Sequence, residues 1–378
     1  MPRPNGLVPH RSERSRIGHG QYAESNKSRR MNGPRTSPQP KPVVSVHMLT
    51  YNHTKYIAGA IEGVLQQRTD FPFELVIGDD CSTDGTREIV EAYAESFPEI
   101  IRVVTSESNV GMHENSDRVL SACVGEYIAW CEGDDCWTRE DKLQIQVDYL
   151  RSNPDCVLVF SDYDLLNVLS GDYIKRYCQS RGLTPYGPPT IEDVLLGRCD
   201  IRTCTACASL SEVRAVYESD RELVSGRFLM RDTPLWVELI ARKRGHWLSD
   251  TLALHRVLPE SVSHSASALA QHRFHSSAHE MRLYLAKKHG LSSARVGHME
   301  ARLHDANLFL AFLNCDALAA TKAWQCFPSP TLRQRLLFIA AQSELINFVV
   351  KRLWRAKNVV LMGWNRLSRS RLWSSVCA

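Results

Sequence analysis

The chain has 378 residues, 43% of them hydrophobic and 23% charged, a globular composition that excludes a disordered or fibrous protein and leaves room for one large domain or two smaller ones. Its net charge of +4 is segregated: residues 1–40 hold eight Lys/Arg against Glu13 and Glu24, residues 331–378 hold nine against Glu344, and residues 41–330 therefore carry −10. An acidic middle suits a cation site better than a nucleic-acid surface, and no nucleic-acid partner is expected.

Residues 1–41 are rich in Arg, Ser, Pro and Gly without apolar periodicity, which predicts a disordered basic tail. Gly18-x-Gly20-x-x-Ala23 imitates a dinucleotide-binding fingerprint but lacks the strand before it and the helix after it. The tail shows no apolar secretory stretch of ~7–15 residues. With twelve irregularly spaced cysteines, this predicts free thiols and a cytoplasmic location. No apolar run reaches the ~18 residues of a spanning helix.

Order is expected from residue 43. Residues 43–48 form a short apolar run, as in a buried parallel strand. The turn Thr50-Tyr51-Asn52-His53 follows, then Ile57, Ala60, Ile61, Val64 and Leu65 at the spacing of one helix face. Residues 73–78 predict a second strand, 79–85 a polar loop with helix-capping residues, and Ile89, Val90, Tyr93, Ala94 and Phe97 the next helix face. A strand over 101–105, a helix over 116–123 and a strand over 126–131 continue the alternation. A helix over about 139–152, a strand over 156–161, a loop-rich stretch to about 200 and a dense segment over 227–265 come next; from about 270 the pattern is helical. The alternation predicts an α/β domain over 42–265 with a mostly parallel sheet, and a helical region over 266–378.

Ligands bind such sheets at the carboxyl ends of strands. Asp79-Asp80 ends the second strand and Glu132-Gly133-Asp134-Asp135 the fourth. Adjacent carboxylates repel, and capping a helix needs only one, so two pairs at neighbouring strand ends predict a crevice for a hard cation, Mg2+ or Mn2+, shared with a diphosphate. Asp84 reads as a helix cap.

Residues 43–52, Gly78-Asp79-Asp80-Cys81-Ser82-Thr83-Asp84-Gly85-Thr86, Asn109-Val110-Gly111, Gly125-Glu126-Tyr127-Ile128 and Glu132-Gly133-Asp134-Asp135-Cys136-Trp137 resemble, in order and spacing, glycosyltransferase family 2. The resemblance covers about residues 43–265 and implies the GT-A fold, a Rossmann-like sheet flanked by helices. It also implies an inverting transferase that moves a sugar, hexosyl in type, from a nucleotide-diphosphate sugar to an acceptor hydroxyl, in cell-surface polysaccharide or glycoconjugate synthesis. Carried over by position, Tyr51 contacts the nucleotide base and Asp80 hydrogen-bonds it, Glu132 lies nearer the ribose, and Asp134 and Asp135 hold the metal. The usual Asp is Glu at position 132, which leaves the division among the three acids open.

Phe228-Leu229-Met230-Arg231-Asp232-Thr233-Pro234-Leu235-Trp236 resembles the family's segment with the general base, which makes Asp232 the catalytic residue. The alternative is an N-cap, since Pro234 suits a first helical turn. Arg231 beside it would depress its pKa unless the guanidinium points away. His255-Arg256 and Ser261-Val262-Ser263 resemble a segment near the donor phosphates, with Arg256 the donor-binding candidate.

Cys204-Thr205-Ala206-Cys207, with Cys199 near, lacks the second cysteine pair of a structural zinc site and reads as buried apolar cysteine. His272, His275 and His279 share a helical face that reads as solvated. Near the end of the chain Leu336, Leu337, Ile339, Leu345, Ile346, Phe348, Val349, Val350, Leu353 and Trp354 alternate with Lys351, Arg352, Arg355 and Lys357, with Trp364 and Trp373 beyond. This predicts either contact with an anionic membrane surface, which suits a lipid-linked acceptor at the inner face of the cell membrane, or a helix packed on the catalytic domain. Two other functions use the same acids: a catalytically weak sugar-nucleotide-binding protein and a metal-dependent nucleotidyltransferase. The second needs a phosphate loop that does not follow the first strand here.

Overall fold

The computed structural model describes residues 40–220, 226–259 and 267–353. The expected tail therefore lies outside the described residues, as do Ser261, Val262, Ser263 and Trp354 onward. The chain lays down β1 (Val44–Thr50), α1 (Ile57–Leu65), β2 (Phe73–Asp79), α2 (Thr86–Ser96), β3 (Ile101–Thr105), α3 (Met112–Ala122) and β4 (Tyr127–Trp130). These are the predicted elements, with ends moved by one to four residues. After them come β5 (Cys136–Trp137), α4 (Lys142–Ser152), β6 (Cys156–Asn167), β7 (Tyr173–Ile174), α5 (Tyr177–Arg181), α6 (Ile191–Leu195), β8 (Cys207–Ser209), α7 (Leu210–Ser219), α8 (Asp232–Arg242) and β9 (Arg244–Val257). The helical region holds α9 (Ala268–Lys288), α10 (Ser293–Asn314), α11 (Ala317–Trp324) and α12 (Leu332–Ala341); residues 344–353 are also helical.

One sheet runs β3-β2-β1-β4-β8-β6-β9-β5, with β7 on β6. Strands β3, β2, β1 and β4 are parallel to one another, while β8 is antiparallel to both β4 and β6. Side chains alternate between two cores. Val44, Val46, Met48, Leu75, Ile77 and Ala129 face α1, α2 and α4, whereas Val76, Ile128 and Trp130 face α3, α7, α8 and α9. Burial on both faces explains why the first strands read as nearly continuous apolar runs.

The path β1-α1-β2-α2-β3 grows the sheet to one side of β1, and α3 then returns the chain to β4 on the other side. The topological switch thus lies between β1 and β4, where the crevice at the strand ends is expected. The two acidic pairs do not end neighbouring strands: β1 separates β2 from β4.

The helical region is not divided from the α/β part at residue 266 by its packing. Met281, Leu285 and Ala286 of α9 and Met299 of α10 belong to the same core as Val119, Trp130 and Trp236. A separate core begins near Leu308, where Phe309 and Phe312 of α10 meet Ala320, Leu337 and Ala340. Among the described residues no helix is long and apolar enough to cross a membrane.

Candidate active site

Two loops meet at the switch point. The turn after β1 is stitched to the loop after β2: Thr83 N donates to Asn52 Oδ1 (2.9 Å), Asn52 N to Ser82 Oγ (3.0 Å), and Thr54 N to Asp84 (3.1 Å). Asp84 also accepts from Thr86 N and Oγ1 at the start of α2, so it serves the helix end as expected, from one residue before the cap at Gly85. On the other side Gly133 N donates to Leu49 O (2.8 Å). A Cβ on Gly133 would lie 2.8 Å from Thr50 Oγ1 and 3.0 Å from His53 Nδ1, so only glycine lets the Glu132–Asp135 loop lie this close to the β1 turn. Thr50 Oγ1 and His53 Nδ1 are buried beside it with no hydrogen-bond partner among the described residues. Tyr51 stands exposed on the same rim.

The two acidic pairs prove unlike. Asp79 is fully buried and ion-paired with Arg87 (3.0 Å), whose Nη2 also donates to Ser106 O. Asp80 is buried and accepts from Val110 N (2.8 Å) on one oxygen and Gly111 N (2.9 Å) on the other, at the start of α3. Both acids of the first pair are thus engaged by protein donors, with Asp79 Oδ1 left without a partner among the described residues. Each Asp80 oxygen keeps lone-pair capacity for one further donor.

The second cluster is different. Burial and then the Asp135 charge push the Glu132 carboxyl up to about 8, and the carboxyl accepts from Thr203 Oγ1 at 2.8 Å. Burial and the Asp135 charge also raise Asp134. Burial pushes Asp135 upward too, but the His255 imidazole and the hydrogen bonds that the carboxylate accepts outweigh it and hold it below its usual value. His255 Nδ1 lies 3.0 Å from Asp135 Oδ1, and Arg256 N donates to the same oxygen (2.9 Å). Arg256 Nη1 donates to Asp134 O (2.9 Å), and its guanidinium lies over the Tyr56 ring.

Among the described residues, one ligand atom each from Asp135, Cys204 and His255 lies within 4.8 Å of the others. The donor set fits a hard or borderline divalent cation. The Asp135 carboxylate and the His255 imidazole supply the O and N donors, and burial pushes the Cys204 thiol well above its usual value. Sequence reading missed His255 as a possible ligand, because it lies 120 residues from Asp135, and set Cys204 aside as an apolar cysteine.

Asp232 opens α8 as its first helical residue; the cap position is Arg231, and neither supplies a capping side chain in the usual sense. The N-cap reading is thus corrected: the Asp232 carboxylate accepts from Thr233 N (2.6 Å) and from the Thr233 side chain. Burial raises its pKa, with Asp200 adding to this and the Thr233 bond and Arg202 opposing. Arg231 turns away: it pairs with Asp117 (2.9 Å), donates to His113 O (3.0 Å) and lies over the Tyr217 ring.

The segment from Asp200 to Thr205 joins both halves. Arg202 pairs with Asp200 (3.2 Å) and donates to Tyr163 Oη, and its charge and that of Asp200 act on Asp232. Thr203 holds Glu132, and Cys204 O accepts from Trp137 Nε1 (2.9 Å) while its thiol meets Asp135. Neither histidine at the ends of the predicted solvated face is free of packing. The His272 ring lies tilted against Phe309 of α10 (4.3 Å), and burial lowers the half-buried His279 to about 4.

A Rossmann-like mixed sheet with an acidic loop at its switch point defines a GT-A architecture. Residues 45–217 match the model of the family described as "Glycosyl transferase family 2". Residues 45–217 therefore form a glycosyltransferase family 2 domain. It is 44% identical over 117 residues to an uncharacterised protein of Mycobacterium tuberculosis, covering 31% of this chain and 34% of that protein. It is 38% identical over 126 residues to the putative teichuronic acid biosynthesis glycosyltransferase TuaG of Bacillus subtilis, covering 33% and 48%. The chain thus spans a third to a half of these relatives' length. The crystal structure of S. aureus TarS 1-349 in complex with UDP-GlcNAc is 18% identical, with a TM-score of 0.49 over 79% of each chain.

Proposed function

We propose that this chain transfers a sugar from a nucleotide-diphosphate sugar to an acceptor hydroxyl, with inversion at the anomeric carbon. The observation that carries the reading is the Asp200–Thr205 segment. One short turn contacts the acidic loop through Thr203 and Cys204, and sets the field on the Asp232 carboxylate, whose pKa is raised, through Asp200 and Arg202. A donor held at the first and an acceptor at the second would be neighbours.

Tyr51 meets the nucleotide base, and Asp80 accepts from it with the lone pairs its two backbone bonds leave. Glu132 faces the ribose and Arg256 the diphosphate. Asp134 and Asp135 would hold a Mg2+ or Mn2+ ion, with His255 as a further ligand from the protein. A bound divalent cation supplies Lewis-acid stabilisation of the departing diphosphate. Asp232 takes the proton of the acceptor hydroxyl as its oxygen bonds to the anomeric carbon. The carbon–oxygen bond to the diphosphate breaks on the opposite face, and its electron pair leaves on the nucleoside diphosphate. A raised pKa favours Asp232 in this role. The relative named for teichuronic acid synthesis supports a cell-surface polysaccharide or lipid-linked acceptor, used on the cytoplasmic side of the membrane.

The test is incubation with a panel of sugar nucleotides and Mn2+ or Mg2+, following binding and transfer. Metal-dependent binding of at least one donor is expected. Absence of binding to every donor overturns the reading.

A further inference from the structure

The last two described helices both turn apolar side chains outward. In helix 344–353 the side turned inward carries Asn347, which is 3% exposed and donates to Phe312 O, and Lys351, which donates to Leu313 O. The side turned outward carries Leu345, Phe348, Val349 and Leu353 at helical spacing, with Leu345 74%, Phe348 61% and Leu353 66% exposed. Helix α12 shares the outward stripe but not the polar inner side: Leu337, Ala340 and Ala341 enter the local core while Leu332, Leu336 and Ile339 stand outward. Of the apolar residues singled out in the sequence, Leu337 and Val350 pack inward and the rest of the described ones do not. Single exposed apolar residues are ordinary; two successive stripes on adjoining helices mark an interaction surface.

Charge selects the occupant. Arg335 and Arg352 stand within these stripes, and among the described residues neither meets a carboxylate. Residues 331–378 hold one acid, Glu344, against nine Lys/Arg, and residues 354–378 add Trp354, Trp364 and Trp373 with no acid at all. A second copy on this face, or the chain's own basic end folded over it, would gather like charge over the apolar stripes. An anionic bilayer takes up the apolar side chains and neutralises the arginines together. We infer that the outward face of α12 and helix 344–353 is a docking surface for anionic membrane lipid, with these helices lying on the membrane rather than through it.

The test is sedimentation of the full chain with phosphatidylcholine vesicles, with and without phosphatidylglycerol, at low and high salt and without sugar donor, so that the outcome is independent of sugar transfer. Binding that requires phosphatidylglycerol and weakens with salt is expected. Leu345→Ser/Phe348→Ser/Leu353→Ser should lower the partition coefficient by at least about tenfold, and Arg335→Gln/Arg352→Gln by roughly fivefold per charge. Circular dichroism should show both variants folded, as substitutions of exposed side chains. Three results overturn the inference: no preference for anionic vesicles, unchanged binding by the folded triple variant, or a wild-type oligomer in light scattering that the triple variant dissolves.

Discussion

Asp79-Asp80 and Glu132–Asp135 look alike in sequence, as acids clustered at strand ends, yet the molecule treats them oppositely. Each acid of the first pair meets protein donors: Arg87 takes one oxygen of Asp79, and two backbone amides at the start of α3 take Asp80. The second is crowded, so that burial and the Asp135 charge push Glu132 to about 8 and raise Asp134. A cation relieves repulsion where protein partners have not already done so. Adjacent carboxylates therefore say little by themselves; the groups that answer them decide between a structural clamp and a metal site.

The sharpest way to break this contrast is at Asp135. Asp135→Ala should lower metal-dependent transfer by roughly a thousandfold, the scale of the several kcal/mol that a bound cation contributes. Steady-state kinetics across a metal titration would show it, and activity within tenfold of wild type would move the metal site elsewhere.

Next in size is Asp232→Asn, expected to lose about 10²–10⁴ in kcat while donor binding persists. Its pH profile is set by the sign of the shift. The base acts deprotonated, and burial raises its pKa above the ordinary 3.8. The acid limb of kcat should therefore lie at higher pH than for an exposed Asp and should vanish in the variant. A profile the substitution leaves unaltered places the base at another residue.

Arg87→Met probes the clamp. It leaves Asp79 buried without its cation, which costs about 3 kcal/mol by analogy with broken buried pairs. Denaturant unfolding should register this, whereas the metal requirement of any remaining activity should stay as in wild type. The smallest effect is expected for Thr203→Val, which removes one hydrogen bond to Glu132. About 1.5 kcal/mol, or roughly tenfold in the donor KM, should be lost with kcat little altered. A kcat effect without a KM effect would argue that Thr203 serves the acceptor instead.

Much of this was readable along the chain, because strands β1 to β4 and their helices carry local signals. The apolar runs and helical spacings of residues 43–131 depend on neighbours close in sequence. The hidden part depends on side chains distant along the chain. His255 reaches Asp135 only because β9 pairs with β5, and β5 directly follows the acidic loop. Arg231 beside Asp232 looked like a threat to the base, and spacing could not show that it turns to Asp117 on α3. Cys204 resembled an ordinary buried cysteine, and it is buried, yet its thiol faces the metal candidates. The boundary expected at residue 266 is not a packing boundary for a related reason: α9 is helical like α10 to α12, but its Met281 and Leu285 complete the core behind the sheet.

The contrast between the two acidic clusters is tested most directly by electron paramagnetic resonance of Mn2+ with nucleoside diphosphate, in wild type, Asp135→Ala and Arg87→Met proteins. Wild type and Arg87→Met are predicted to quench the free Mn2+ signal alike, and Asp135→Ala to leave it free. Equal quenching by Asp135→Ala, or its loss in a folded Arg87→Met protein, would contradict the assignment of the cation to the second cluster.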